Sequence, residues 1–232
     1  MKKGPSVAAM VANRDHECGQ WPAVWALNER DPKTDKIREQ VIDIGSMVRT
    51  HLQRWKARHN NEWPTRIVLY RDGLSEGQFA MCRQEEITKI KDMLRKCATF
   101  DKVDCPPLLV VCTIKRHHTR FAPGENQTST MLDTKNNPVH GSVFYDKVTY
   151  GEGRDFFLVS HTTLQGTTRA IHYVVLHNEI DGISLEDIAN SVSGTFAPSL
   201  CVATNMSSDL SVVLHMGSII DICRTCSTII LR

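Results

Sequence analysis

Residues 66–79 read RIVLYRDGLSEGQF, and the fold follows from how that stretch divides. Arg66, Ile67, Val68, Leu69 and Tyr70 form a short β-branched and apolar run, the pattern of a strand buried on both faces. Arg71, Asp72 and Gly73 follow at once, and Gly77 closes a turn before a helix predicted from about Gln78. A strand that ends in an acid and turns into a helix puts that carboxylate at the carboxyl edge of a sheet. In open α/β sheets ligands bind at that edge. Asp72 is therefore the first candidate metal ligand, although an isolated Asp-Gly after a strand is by itself an ordinary turn signal.

Outward from this stretch the periods are clear. Before it, Ile37, Val41, Ile44, Val48, Leu52 and Trp55 fall on one face of a predicted amphipathic helix. After it, Phe79, Cys82, Ile87, Ile90, Leu94 and Cys97 line the inner face of a second. Pro106 and Pro107 end that segment, and residues 108–114 are a continuous apolar strand. Strand, helix and strand at this spacing make a parallel crossover, so the class is α/β. Residues 6–12 and 23–27 read as an antiparallel hairpin with a long polar tip. Residues 116–153 form a long polar loop with a hairpin expected near 141–148. Residues 156–160 and 171–176 are two further strands around the Gln165-Gly166 turn, which makes His172 and Tyr173 strand residues. Ser184 has the composition of a helix cap.

At 232 residues and 41% hydrophobic content, the chain can bury one good core. A net charge of +2 does not announce a nucleic-acid binder, so any basic footprint must be local. No apolar run approaches the length of a membrane span, and no membrane partner is expected. The start of the chain lacks the apolar stretch of a signal peptide. The eight cysteines are scattered, with Cys223 and Cys226 the one CxxC pair and Cys82, Cys97 and Cys112 in apolar positions. A reducing, cytoplasmic compartment is the expectation.

The string YRDGLSEGQF resembles the signature of the PIWI domain of Argonaute proteins, in a fungal style. Two further motifs follow in that family's order: Lys115-Arg116-His117-His118-Thr119-Arg120, and residues 160–169, SHTTLQGTTR. The resemblance implies an RNase H-like α/β fold, a mixed sheet flanked by helices, that holds a small guide RNA. In some members it also cuts the paired target RNA with two Mg²⁺ or Mn²⁺ ions. It further implies silencing-complex proteins as partners and no role for DNA.

Two-metal hydrolysis needs several carboxylates converging on the ion pair. The resemblance gives Asp72 to the conserved strand acid and Glu39 to the mobile-loop acid, with Glu29 as the rival. Residues 1–4, MKKG, stand where the family has a strand carrying a first Asp. The family's central strand is accordingly expected to be absent, leaving a gap or two unpaired edges between the hairpin and the Arg66 strand. After Ala197 the sequence departs from the family pattern. We expect a partial PIWI domain over 1–197 and a divergent tail over 198–232, in which 210–214 and 227–231 are apolar and His215 stands in the zone of the last ligand.

The groups that hold RNA survive better. Arg forks and Lys point charges bind phosphate oxygens, and Gly166 with Thr167 and Thr168 offers backbone and hydroxyl donors. Lys115, Arg116, His118, Arg120, His161, Gln165, Thr167 and Arg169 are the candidate RNA contacts, and by the resemblance Lys115, His161 and Arg169 meet guide phosphates. Such contacts follow a backbone without reading sequence, which suits A-form RNA. The leading expectation is an RNA-binding, cleavage-deficient PIWI fragment serving small-RNA-guided gene silencing. The second is a metal-dependent endonuclease in which Asp104, Asp146 or Asp155 replaces the missing acid. The third is a remnant without RNA binding.

Overall fold

The computed structural model describes residues 5–15, 20–36, 38, 40–124, 131–145, 148–149, 154–159 and 166–184, and residues 211–218 as backbone. Strands β1 (Ser6–Ala12) and β2 (Ala23–Asn28) form the expected antiparallel hairpin. β3 (Arg66–Asp72) and β4 (Leu108–Ile114) are parallel neighbours, with Asp72 opposite Thr113. β5 (Val143–Phe144), β6 (Asp155–Leu158) and β7 (Ile171–Asn178) extend the sheet by antiparallel pairing. Residues 143–144, within the span 141–148 where a hairpin is expected, are the edge strand of the sheet and pair antiparallel with β6, the next strand in the chain; residues 146–147 lie outside the described residues.

The expected gap is also absent. An eighth strand, β8 (Ser211–Ser218), fills the place between β1 and β3, giving the order β2-β1-β8-β3-β4-β7-β6-β5. It runs antiparallel to β1, with Val11 opposite His215, and parallel to β3, with Tyr70 opposite His215. The first apolar piece of the tail therefore belongs to the sheet, whereas Cys223, Cys226 and residues 227–231 lie outside the described residues. The physical reason is that two facing rows of unpaired N–H and C=O groups inside a sheet demand a partner.

β3 alternates as its sequence requires. Ile67 and Leu69 face helix α1 (Ile44–Arg58), where Ile44, Val48, Leu52 and Trp55 are buried; Val68 and Tyr70 face a second cluster with Val111, Phe156 and Tyr173. Helix α1 begins at Ile44, later than the apolar period suggests. Val41 is buried, but its N–H donates to the Glu86 side chain (2.8 Å) rather than into a helical ladder, and Ile37 lies outside the described residues.

After Asp72, Gly73 turns the chain at φ +86°, a conformation that penalises any Cβ. Ser75 and Gln78 then form a capping box. A 3-10 turn (Glu76–Gln78), an α turn (Phe79–Met81) and a π segment (Cys82–Ile87) lead into helix α2 (Thr88–Asp101). Ile87, Ile90 and Leu94 are buried as expected, and Lys56 and Trp63 both donate to Asp101, joining the far ends of the two helices.

Removing β8 should be severe. Losing two ladders at a net contribution of about 0.5–1.5 kcal/mol per bond rivals a total stability of roughly 5–15 kcal/mol. A chain ending at residue 204 is expected to lose cooperative urea unfolding; an unchanged midpoint would refute the placement. A second expectation concerns acid. His51 is buried with Nε2 3.2 Å from the Met10 carbonyl, and burial lowers its pKa to about 4. The unfolded chain binds this proton first, so stability falls as pH drops from 6.5 towards 4, by up to about 3 kcal/mol. Chemical denaturation across that range should show the slope in the native chain and a flatter one in H51Q.

Candidate nucleic-acid interface

The carboxyl ends of β3 and β4 open into a cavity of about 600 Å³ whose lining includes Asn28, Arg38, Asp72, Thr113, Lys115 and Arg116. The two faces of β3 divide the charges. Arg71, on the helical side, donates through Nε and Nη2 to the Glu86 carboxylate (2.9 and 3.1 Å) and through Nη1 to the Asp72 carbonyl. Both side chains are buried, and the bidentate pairing satisfies charges that burial would otherwise heavily penalise. Glu86 also accepts from Val41 N–H.

Asp72 points to the opposite face, with Thr113 and Lys115 of the neighbouring strand and its exit. The Lys115 ammonium donates to Asp72 Oδ2 at 2.7 Å; the carboxylate side chain is 7% exposed and the lysine 36%. Thr113 is buried, and its hydroxyl has no hydrogen-bond partner among the described residues.

The rim of the cavity is fixed from a third direction. Asn28 Nδ2 donates to the carbonyls of Arg38 (2.9 Å) and Gln40 (2.8 Å), and its Oδ1 accepts from Ile42 N–H (3.2 Å). Glu39 itself lies outside the described residues, but both of its chain neighbours are held by these bonds. Glu29 is exposed at the end of β2 and takes no part in the cavity lining.

The candidate acids that would complete a set are not gathered at Asp72. Asp155 is level with Arg71 across the sheet but three strands away, about 14 Å at the usual strand spacing, and its carboxylate lies 2.7 Å from His172 Nε2. Asp104 precedes β4, at the opposite edge from Asp72. Asp146 lies outside the described residues. The strand beside β3 reads SVVLHMGS, without a carboxylate; nothing is described of the His215 side chain. Among the described residues no group of three or more carboxylate, imidazole or thiol side chains could hold a metal ion. Of the acids the sequence resemblance assigns to a Mg²⁺ or Mn²⁺ pair, the described residues hold Asp72 alone at the cavity, and its carboxylate is paired with an ammonium.

The two basic motifs are brought together. His117 Nε2 lies 2.7 Å from the Ala170 carbonyl, tying the 115–120 segment to the 166–170 loop. The ring also packs edge-on against Phe157 and His172, and burial lowers its pKa, so His117 serves as an inner tie. Lys115, Arg116, His118, Arg120, Thr167 and Arg169 are exposed around it, while Thr168 is buried. Arg120 folds back on the carbonyls of His117 and Thr119. His161 and Gln165 lie outside the described residues.

Sequence reasoning missed Asn137. This buried residue donates to the Gly166 carbonyl (3.1 Å) and accepts from Thr168 N–H (3.0 Å), holding the loop in which Gly166 takes φ +82°. Its own N–H is anchored on Asp133 Oδ1. An Asn before Pro138 reads only as a turn, so nothing in the sequence names its distant partners. Glu86 did carry a signal: Cys82, Glu86 and Ile90 recur every fourth residue, and an acid in an apolar stripe needs a buried partner.

The Piwi domain family model matches residues 1–204. The chain is 35% identical over 177 residues to the Argonaute protein of Schizosaccharomyces pombe, covering 76% of this chain and 20% of that one. It is 31% identical over 188 residues to protein argonaute 11 of Oryza sativa subsp. japonica, covering 75% and 20%. It thus spans about a fifth of the length of these curated relatives. Among solved structures, the C-terminal lobe of a budding yeast Argonaute superposes with a TM-score of 0.72 at 26% identity, over 88% of this chain and 42% of that one. Kluyveromyces polysporus Argonaute with a guide RNA gives 0.70 at 25% identity, over 88% and 25%. The fold is the RNase H-like α/β fold of Argonaute PIWI lobes.

N137A should free both backbone groups of the 166–168 loop, with a loss of about 1–3 kcal/mol. Hydrogen exchange should speed up at Thr168 in N137A but stay slow in N137D, which keeps the acceptor; equal protection in all three chains would remove Asn137 from this role.

Proposed function

The chain belongs to the Piwi domain family, and on that premise we propose that it grips the sugar–phosphate backbone of a small guide RNA, and of the target RNA paired with it, in gene silencing, without cutting either strand. The observation that carries this reading is the His117–Ala170 tie, which makes one exposed cationic surface from two motifs far apart in sequence. Arg116, His118, Arg120, Thr167 and Arg169 supply forks, hydroxyls and point charges there, with Lys115 at the cavity mouth. Contacts of this kind hold a phosphate chain irrespective of base sequence. The printed description of the Kluyveromyces polysporus structure, with its guide RNA, supports RNA as the partner class.

Loss of cleavage is supported by the acids around Asp72. Its nearest cation is an ammonium, Thr113 is its partner on β4, and the sequence of β8 contains no carboxylate. A cutting role, with Glu39 as the loop acid and a bound Mg²⁺ or Mn²⁺, has one observation in its favour: Arg38, the residue before that position, and Val41, two residues after it, line the cavity. We also propose a cytoplasmic setting, which suits the free thiols of Cys82, Cys97, Cys105 and Cys112.

The test is binding of labelled single-stranded RNA across a salt series. For single strands log K falls by about 0.7 per log unit of salt for each phosphate neutralised, so R116A and R169A should each flatten the slope by about that much. A salt-independent signal, or none, would refute RNA binding. Incubation with guide, paired target and Mg²⁺ should leave the target whole; a clean cut opposite the guide centre would restore the endonuclease reading.

A further inference from the structure

Lys115 has an acceptor inside the protein and a face open to solvent. Register accounts for the first: Asp72 lies beside Thr113, and Lys115, two residues on, shares that face and reaches Oδ2 at 2.7 Å. Exposure leaves it accessible to a second. The carboxylate is almost fully covered, but the lysine is 36% exposed at the mouth of the cavity, next to exposed Arg116. An ammonium on a flexible four-carbon stem can change partners where part of it stays in solvent, whereas a buried bidentate guanidinium is held. Arg71, one residue before Asp72, illustrates the contrast, since its guanidinium is buried and committed to Glu86.

We propose that Lys115 is an exchangeable clamp: without nucleic acid it neutralises Asp72, and on RNA binding it transfers to a backbone phosphate, so that Asp72 competes with RNA for the same cation. This rests on the RNA-binding reading above and adds a restraint to it. The Asp72 carboxylate sets how strongly the surface binds, by holding one of its charges back. The free hydroxyl of Thr113, buried beside the carboxylate, is a donor that can take over Oδ2 once the lysine has left. The step is an exchange of ionic hydrogen bonds, with no proton or covalent bond transferred.

The experiment is a double-mutant cycle with fluorescein-labelled oligouridylate in EDTA, using the full chain, D72N, K115M and D72N/K115M, each checked for native unfolding by circular dichroism. D72N should bind about threefold to tenfold more tightly than the native chain, with a salt slope steeper by about 0.7. K115M should lower affinity less than twofold in the native background but by about threefold or more in the D72N background. T113V, which removes the replacement donor without touching the charges, should weaken RNA binding while leaving the D72N chain unaffected. Equal effects of K115M in both backgrounds would overturn the proposal, as would weaker binding by D72N, since a lysine bridging carboxylate and phosphate would lose affinity. Absence of binding by the native chain overturns the RNA-binding reading together with this one; binding without coupling overturns only the clamp.

Discussion

A buried guanidinium has to be paired, and the pairing of Arg71 with Glu86 organises this site. Arg71 stands on the last strand residue before Asp72, so its direction fixes where the carboxyl end of β3 points. Its partner comes from the π segment of the following helix, and the same carboxylate accepts from the N–H of Val41, which also lines the cavity. One acid thus joins a strand end, a helix start and the cavity rim. Because both charges are desolvated, removing either leaves the other uncompensated, which is far more damaging than losing an exposed pair.

The opposite face of the same strand end follows the reverse logic. Asp72 and Lys115 are paired, but the lysine keeps contact with solvent. Neighbouring residues on one strand therefore hold a permanent pair and an exchangeable one, separated only by the alternation of the β backbone. Around them, Asn28 and Asn137 fix loops through backbone atoms. Both amides offer a donor and an acceptor, which suits a chain segment that presents one carbonyl and one N–H.

What was legible in the sequence was what depends on local pattern. The run Ile67 to Tyr70 and the run 108–114 read as buried strands because each is short, apolar, rich in β-branched residues and bounded by turn or proline signals. The basic segments were legible as charge, and Asp72 as the acid at a strand end. Distant pairing was not legible. Val41 kept the helical period but was captured by Glu86 outside the helix, and Asn137 looked like a turn residue while bonding a loop some thirty positions on. Asp155 looked available as a ligand, yet it is engaged with His172 on the adjacent strand. β8 is the clearest case: residues 210–214 were legible only as apolar, and it is the unsatisfied backbone of β1 and β3 that says a strand is needed there.

That position has a consequence for how the chain reaches its native state. Ala8 pairs with Ser218 and Arg66 with Ser211, so the middle of the sheet closes through contacts between residues very distant in sequence. Topologies dominated by such contacts fold slowly, because the entropy of closing large loops is spent before the contacts form. During synthesis the hairpin and the β3–β4 crossover emerge long before residues 211–218, and until then they expose two sticky edges on the ribosome. Open edges of this kind are where an incompletely folded chain pairs wrongly or aggregates, so the late closing of the sheet is the step most exposed to misassembly.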